Sequence, residues 1–163
     1  VRNERPPTVS PRRTAVPPLC STALALVGPG KGRTAVVVGC AAGAEATALL
    51  ELGWTVIGID EDPATCDAVR ARAGTEALDR LTLVAESLPQ LSGLPDADLV
   101  HVRSALLRSG SEQLWAHIQA ALRPDGLVAV RLGESNVSRL RGWETLSERW
   151  VAPHVLEVVA RRR

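Results

Sequence analysis

The residues best placed to do chemistry are Gly39, Cys40, Ala41 and Gly43, a tight turn of small side chains after one apolar run, and Asp60, the carboxylate that ends the next. Small side chains let a backbone approach a ligand closely, and the N–H groups of a helix opening after such a turn offer donors and a favourable field to a carboxylate. An acid at a strand end can accept hydrogen bonds from two ribose hydroxyls at once, each worth on the order of 1.5–3 kcal/mol. Glu61 and Asp62 beside it disfavour a 2′-phosphate. The pattern predicts a nucleoside-containing ligand at the carboxyl edge of a parallel sheet.

His101 and Arg103 end a later apolar run, where side chains can face an acceptor bound beside such a ligand. A histidine titrating near neutrality could deprotonate that acceptor. Packing of His101 within its strand and an ion pair for Arg103 are the competing and preferred readings. Cys40 is read as a packing residue rather than a reactive thiol, because no partner base is visible. Trp115, Trp143 and Trp150 stand at helical spacing and are expected in the core rather than around an acceptor.

The elements that position these groups follow from apolar periodicity. Thr34 to Val38 is a continuous run of the kind buried on both faces of a sheet. Ala46, Leu49, Leu50 and Gly53 fall at i, i+3, i+4 and i+7, which predicts an amphipathic helix over Ala44 to Leu52, and Trp54 to Ile59 reads as the second strand. Asp62 before Pro63 is a cap and first-turn signal, followed by Cys66, Val69 and Ala73 on one face and a stop at Gly74. Further strands are predicted at Leu81 to Ala85, Ala97 to Val102 and Leu127 to Leu132, with a helix before the last whose inner stripe is Leu114, Ile118, Ala121 and Leu122. Trp143, Leu146 and Trp150 predict one more helix, and His154 to Ala160 a sixth strand. The alternation specifies an α/β fold, a doubly wound, Rossmann-like parallel sheet with helices on both faces.

A chain of 163 residues, 45% of them hydrophobic, suits one domain with a real core. Phe, Tyr and Met are absent, so that core must be built from Leu, Val, Ala, Ile and four tryptophans. Residues 1–18 hold five prolines and four arginines and read as a disordered tail, leaving 19–163 as the domain. A formal charge of +1 argues against nucleic acid or an anionic membrane as partner. The three cysteines show no C-x-x-C spacing, so no metal site is expected and a reducing, cytoplasmic setting fits. No stretch approaches the roughly 20 apolar residues of a membrane span.

Val37 to Gly43, V-V-G-C-A-A-G, with Asp60 ending the next strand, resembles motif I and the following acidic position of the class I S-adenosylmethionine-dependent methyltransferases. Leu122 to Gly126, L-R-P-D-G, resembles that family's L-x-P-G-G turn into the fifth strand, and Asp98-Leu99-Val100-His101 its fourth-strand motif. The G-C-x-x-G turn and the G-W-x-V-x-G-x-D run from Gly53 to Asp60 are similar to small-molecule members, including thiopurine- and tellurite-type enzymes. The resemblance spans Arg33 to Gly133. Two positions depart from it: Val37 stands where the family usually has an acid, and Ala41 where it usually has glycine. With only six predicted strands, a sheet lacking the family's seventh stays open.

The resemblance implies S-adenosylmethionine as cofactor and a small-molecule acceptor. It implies cofactor contacts from Gly39, Cys40, Ala41, Gly43, Asp60 and Glu61 and adenine contacts from Glu86, Ser87 and Leu88, while His101 and Arg103 stay the catalytic candidates by their position at the end of the fourth strand. Methyl transfer from a sulfonium depends mostly on positioning, so it needs no encoded nucleophile. Two alternatives remain at this point. One is a non-catalytic methyltransferase-fold binding module, motivated by Val37, Ala41 and the short carboxyl end. The other is a dinucleotide-binding domain, which would want glycine where Ala41 and Ala44 stand. The sequence leaves oligomeric state open.

Overall fold

The computed structural model describes residues 17–103 and 112–163. The expected tail therefore lies outside the described residues, except for Pro17 and Pro18. Pro18 already opens a helix, α1 (Pro18–Val27), which the sequence reading had not anticipated. Proline suits a first helical turn because its missing N–H has no intrahelical partner there. Leu19, Cys20, Ala23 and Val27 form the buried stripe of α1, which packs against the far strands of the sheet.

From there the elements run β1 (Thr34–Val38), α2 (Ala44–Glu51), β2 (Thr55–Asp60), α3 (Pro63–Ala73), β3 (Leu81–Ala85), β4 (Ala97–Val102), α4 (Glu112–Ala121) and β5 (Leu122–Gly133), with only a short 3-10 turn, Leu88–Gln90, between β3 and β4. Strands β6 (Glu144–Ala152) and β7 (Val155–Arg161) complete the chain. The sheet has seven strands in the order β3-β2-β1-β4-β5-β7-β6. The first five run parallel, β7 runs antiparallel beside β5, and β6 pairs antiparallel with β7.

Two expectations are corrected here. The sheet has seven strands rather than six, and the unexpected one is β6, which holds Leu146 and Trp150 of the stretch expected to be a helix. Spacing misled because β6 is an edge strand paired on one side only, with little burial to impose alternation on it. Trp150 is 57% exposed, so it is not a core residue, whereas Trp143 packs at 5.3 Å from Trp115 against the core. Pro153 and His154 make the two-residue link to β7, with His154 at φ 64 after the proline, the combination of conformations a type II turn uses.

Side chains alternate across the sheet and build two cores. Ala35, Val37, Leu99 and Ala129 face α1 and α2, together with Leu49 and Val69, whereas Val36, Val38, Val100 and Val130 face Trp115 and Ile118 of α4. Helices thus cover both faces, and the strands hide their apolar residues on either side as parallel strands must. Trp54 is the largest of the fully buried side chains. It is fully buried, its Nε1 donates to Gly28 O at 3.0 Å, and the Arg33 guanidinium lies 4.4 Å over its ring.

Candidate functional site

Because β1 is flanked by β2 on one side and β4 on the other, the chain reverses its winding there, and the crevice at the carboxyl ends of β1 and β4 is the switch point where open α/β folds take ligands. The turn from β1 into α2 forms one wall. Gly39, Ala41 and Gly43 all adopt left-handed conformations, at φ 81, 45 and 81. Glycine adopts such angles freely, but at Ala41 the Cβ costs roughly 1–2 kcal/mol. At Gly43 a Cβ would also come within 3.2 Å of the Val69 side chain, so glycine is what allows α2 and α3 to meet.

Asp60 points into this turn. Its Oδ2 accepts from the Cys40 N–H at 2.9 Å and its Oδ1 from the Asp62 N–H at 3.0 Å, which fixes the plane of the carboxylate. An ionised carboxylate has about four acceptor sites, so about two remain. Cys40 contributes through its backbone, and its side chain turns inward, between the carbonyls of Val37 and Ile59. Gly58 makes room for it, since a Cβ there would stand 2.8 Å from the sulfur and 2.7 Å from Leu83. Burial, with the Asp60 charge second, pushes the Cys40 thiol up to about 12, so it is a packing group at neutral pH.

Asp62 caps α3 by accepting from the Ala64 N–H at 2.9 Å, and Glu61 is exposed beside it. The ends of β2 and β3 are tied by the Glu86 N–H donating to the Asp60 carbonyl at 3.0 Å, which brings Glu86 next to Asp60. The Ser87 hydroxyl donates to Gln90 Oε1 at 2.9 Å, and Leu88 is half-buried against the α4 side of the core. The structure thus gathers Gly39, Cys40, Ala41, Gly43, Asp60, Glu61 and Glu86 along one edge, with Ser87 and Leu88 following directly.

His101 is placed differently. It sits in register between Val37 and Ala129, and only 2% of its surface is exposed. Neither ring nitrogen has a hydrogen-bond partner. Burial, helped by the Arg103 and Arg131 charges, lowers its pKa to about 4. A group so enclosed and so weakly basic does not suit proton abstraction from an acceptor. Arg103, at the mouth of the crevice just past β4, is 43% exposed, and its N–H donates to the Val38 carbonyl at 3.3 Å.

One group escaped the sequence reading altogether. Glu45, in the first turn of α2, is 1% exposed, and neither carboxylate oxygen has a hydrogen-bond partner. Arg103 Nη1 approaches it only to 3.7 Å. The signal was present in Glu45 sharing a helical face with Leu49, but an acid in a first turn reads as a solvated partner of the helix dipole. On β7, buried Glu157 binds Arg131 and Arg149 at 2.7 and 2.6 Å, and these bonds outweigh burial to lower its pKa. Among the described residues, no cluster of His, Cys, Asp or Glu could hold a metal ion, and no helix is long and apolar enough to cross a membrane.

Asp98 serves the opposite end of β4, accepting from the Thr34 N–H at 2.9 Å and Arg123 at 2.7 Å. The L-R-P-D-G segment opens β5 with Asp125 at φ 64. A Cβ on Gly126 would meet the Arg123 carbonyl at 2.8 Å. Both motifs brace the sheet rather than line the crevice.

Solved structures of similar fold include TehB from Haemophilus influenzae, with a TM-score of 0.73 at 11% identity over 88% of this chain and 61% of that one. This chain thus spans less than two thirds of that protein. A 1,6-didemethyltoxoflavin-N1-methyltransferase from Burkholderia thailandensis, solved with its acceptor and S-adenosylhomocysteine bound, gives 0.72 at 20% identity over 93% of this chain and 79% of that one. The glycopeptide N-methyltransferase MtfA gives 0.68 at 14% identity over 88% and 89%. No curated protein matches the sequence. Residues 36–130, more than half the chain, match the family described as methyltransferase domain, and they hold the turn, Asp60 and the L-R-P-D-G segment: this chain belongs to the class I S-adenosylmethionine-dependent methyltransferases.

Proposed function

We propose that this chain transfers the methyl group of S-adenosylmethionine to a small-molecule acceptor, with the cofactor held by the Gly39–Gly43 turn and Asp60. The observation that carries the assignment of the site is the Asp60 carboxylate, fixed by the Cys40 and Asp62 N–H groups with acceptor capacity to spare for two ribose hydroxyls. The residues fit such a group. Ala41 and Ala42 are exposed, and a Cβ built on Gly39 would have only Arg103 within 4 Å, which leaves the floor of the turn open. Glu61 repels additional phosphate, and Glu86, Ser87 and Leu88 offer the adenine a polar edge and an apolar face.

The bound cofactor supplies an electrophilic methyl group on a sulfonium. The chain supplies orientation: a rigid turn, an anchored carboxylate and a crevice at the end of β4 where an acceptor can be lined up with that methyl. Support for a small acceptor comes from the G-C-x-x-G and G-W-x-V-x-G-x-D runs and from the toxoflavin-type neighbour, while the glycopeptide enzyme of similar fold makes a larger acceptor the competing possibility. The non-catalytic reading loses the missing strand that partly motivated it and rests on Val37 and Ala41 alone.

Isothermal titration with S-adenosylmethionine and S-adenosylhomocysteine tests the cofactor site. Binding of both is expected, with Asp60→Ala weakening each at least tenfold. A folded preparation that binds neither refutes the site. Turnover across small amines, thiols, hydroxyls and peptides then separates acceptor classes, and methylation of peptides alone would overturn the small-molecule assignment.

A further inference from the structure

The carboxyl edge of the sheet carries opposite charges at its two ends. Val38 pairs with Ile59 and with Val102, and Val102 pairs with Val130, so the next positions along these strands, Asp60, Gly39, Arg103 and Arg131, form one row across the edge. Arg131 in turn pairs with Glu157, and Glu157 with Arg149. Arg103 and Arg131 follow His101 and Ala129 by two residues, which places them on the face of the sheet turned to α1 and α2. The Arg103 Cβ lies 3.8 Å from where a Cβ on Gly39 would be, so the row begins beside the glycine turn. Neighbouring strands are about 4.8 Å apart, which puts Arg131 roughly 10 Å from β1 on the side away from Asp60.

Guanidiniums on adjacent strands repel, and the fold offsets this with acids placed beneath them. Glu157 accepts from Arg131 Nε and Nη2 at 2.9 and 2.7 Å and from Arg149 Nη2 at 2.6 Å. Glu45 lies 3.7 Å from Arg103, and Glu134, past the end of β5, is held by His154. Burial is one-sided. Glu45 and Glu157 are enclosed, whereas Arg103, Arg131 and Arg149 stay 43, 36 and 57% exposed. Three guanidiniums over two buried carboxylates leave a surplus of one positive charge on the side that solvent reaches. Arg131 uses Nε and Nη2 on Glu157, which fixes its plane and leaves Nη1. The Arg103 guanidinium makes no hydrogen bond among the described residues, since 3.7 Å is outside the 2.7–3.2 Å range. Paired N–H donors of this kind match the two oxygens of a carboxylate, and a monoanion cancels the surplus where a phosphate dianion would overshoot it. We infer that Arg103 and Arg131 hold a carboxylate of the methyl acceptor, so that this chain acts on small carboxylic acids.

This rests on the cofactor reading above and names the acceptor class for the same crevice. Asp60, with Glu61 and Glu86 beside it, suits neutral hydroxyls and repels an anionic acceptor, while the arginine end attracts one. The charges along the edge thereby sort the two ligands to opposite sides of the glycine turn.

Benzoate and benzamide, a carboxylate and a neutral counterpart of the same shape, serve as probes, titrated calorimetrically into protein saturated with S-adenosylhomocysteine. The wild type should bind benzoate at least tenfold more tightly, the difference that one charge-assisted hydrogen bond supplies. Arg103→Gln and Arg131→Gln should each remove most of that preference and leave S-adenosylhomocysteine affinity within twofold. Arg149→Gln breaks a bond to the same Glu157 and should keep the preference. Arg103→Gln breaks no side-chain hydrogen bond among the described residues, so it decides the matter even where melting shows Arg131→Gln to be unfolded. In turnover, carboxylate-bearing acceptors should show a KM at least tenfold below that of their methyl esters, a difference that Arg103→Gln removes. Equal binding of benzoate and benzamide by the wild type, or the same loss in Arg149→Gln as in Arg103→Gln, overturns the carboxylate assignment and leaves the cofactor site standing. Tighter binding of phenyl phosphate than of benzoate overturns it in favour of a phosphate-bearing acceptor. Weakened S-adenosylhomocysteine binding in Arg103→Gln moves that arginine to the cofactor and overturns its acceptor role. A folded wild type that does not bind S-adenosylhomocysteine overturns the cofactor reading itself.

Discussion

Acid should destabilise this protein through His101 well before it reaches the carboxylates. The imidazole is 2% exposed without a hydrogen-bond partner, and its pKa falls from 6.5 to about 4, through burial first and then through the Arg103 and Arg131 charges, with Glu157 opposing. The unfolded chain therefore binds a proton near pH 6.5 that the folded chain refuses until about pH 4. Stability is fully present above the unfolded value and declines as pH falls through the window between the two. A gap of that size corresponds to roughly 3 kcal/mol in total, of which about 2.5 kcal/mol is lost between pH 7 and pH 4.5. Urea unfolding at those two pH values measures the loss, and His101→Gln, which cannot titrate, should reduce it by nearly that amount whatever its own stability. Stopping at pH 4.5 keeps Glu157, whose own pKa is lowered, mostly ionised. An equal loss in the variant, or a flat profile in wild type, would refute the picture of a neutral, packed histidine and reopen a role for it as a base.

Three other outcomes follow from the turn and its supports. Ala41→Gly should stabilise the fold by roughly 0.5–1 kcal/mol in urea melts, because relief at φ 45 exceeds the added freedom of the unfolded glycine; destabilisation would mean the turn carries no such strain. Gly58→Ala should cost roughly 1–3 kcal/mol, since its methyl meets Leu83 and Cys40 inside contact distance, and adding Cys40→Ala should recover part of that loss, measured as a double-mutant cycle. Cys20, Cys40 and Cys66 are buried with raised pKa values, so at pH 8 the native protein should react with a thiol reagent far more slowly than in denaturant; rapid native labelling would contradict the packing role of Cys40.

Much of the site's framework could be read from the sequence because its residues satisfy several physical demands at once. The run Thr34–Val38 is apolar enough to be buried on both faces, Asp62 and Pro63 announce the start of α3, and Asp60 falls where β2 must end. What escaped was whatever obeyed a weaker rule. The β6 strand carries Leu146 and Trp150, with Trp143 just before it, at helical spacing, yet with one unpaired edge it needs no strict alternation. The helix α1 follows a proline- and arginine-rich stretch, and its stripe contains small residues such as Ala23 and Cys20, which signal burial faintly. The packed state of His101 was legible because a lone histidine on an apolar strand is usually a packed one, whereas Glu45 escaped because burial of a polar side chain is decided by what packs over it, and no local pattern encodes that.

The departures from the family pattern sort by what the fold does with them. Asp125 and Ala41 both stand where glycine is usual, and both keep the left-handed backbone, at φ 64 and 45. Aspartate tolerates that region by bonding locally, and alanine carries a cost of roughly 1–2 kcal/mol that the surrounding hydrogen bonds of Gly39, Cys40 and Gly43 are sufficient to hold. Geometry at those positions is therefore set by the turn rather than by the residue, and substituting them changes stability more than chemistry. Val37 is of another kind. It is fully buried between β2 and β4, paired with Gly58 and His101, where an uncompensated acid would be costly. The helix that packs over the same face nevertheless buries a carboxylate of its own, Glu45.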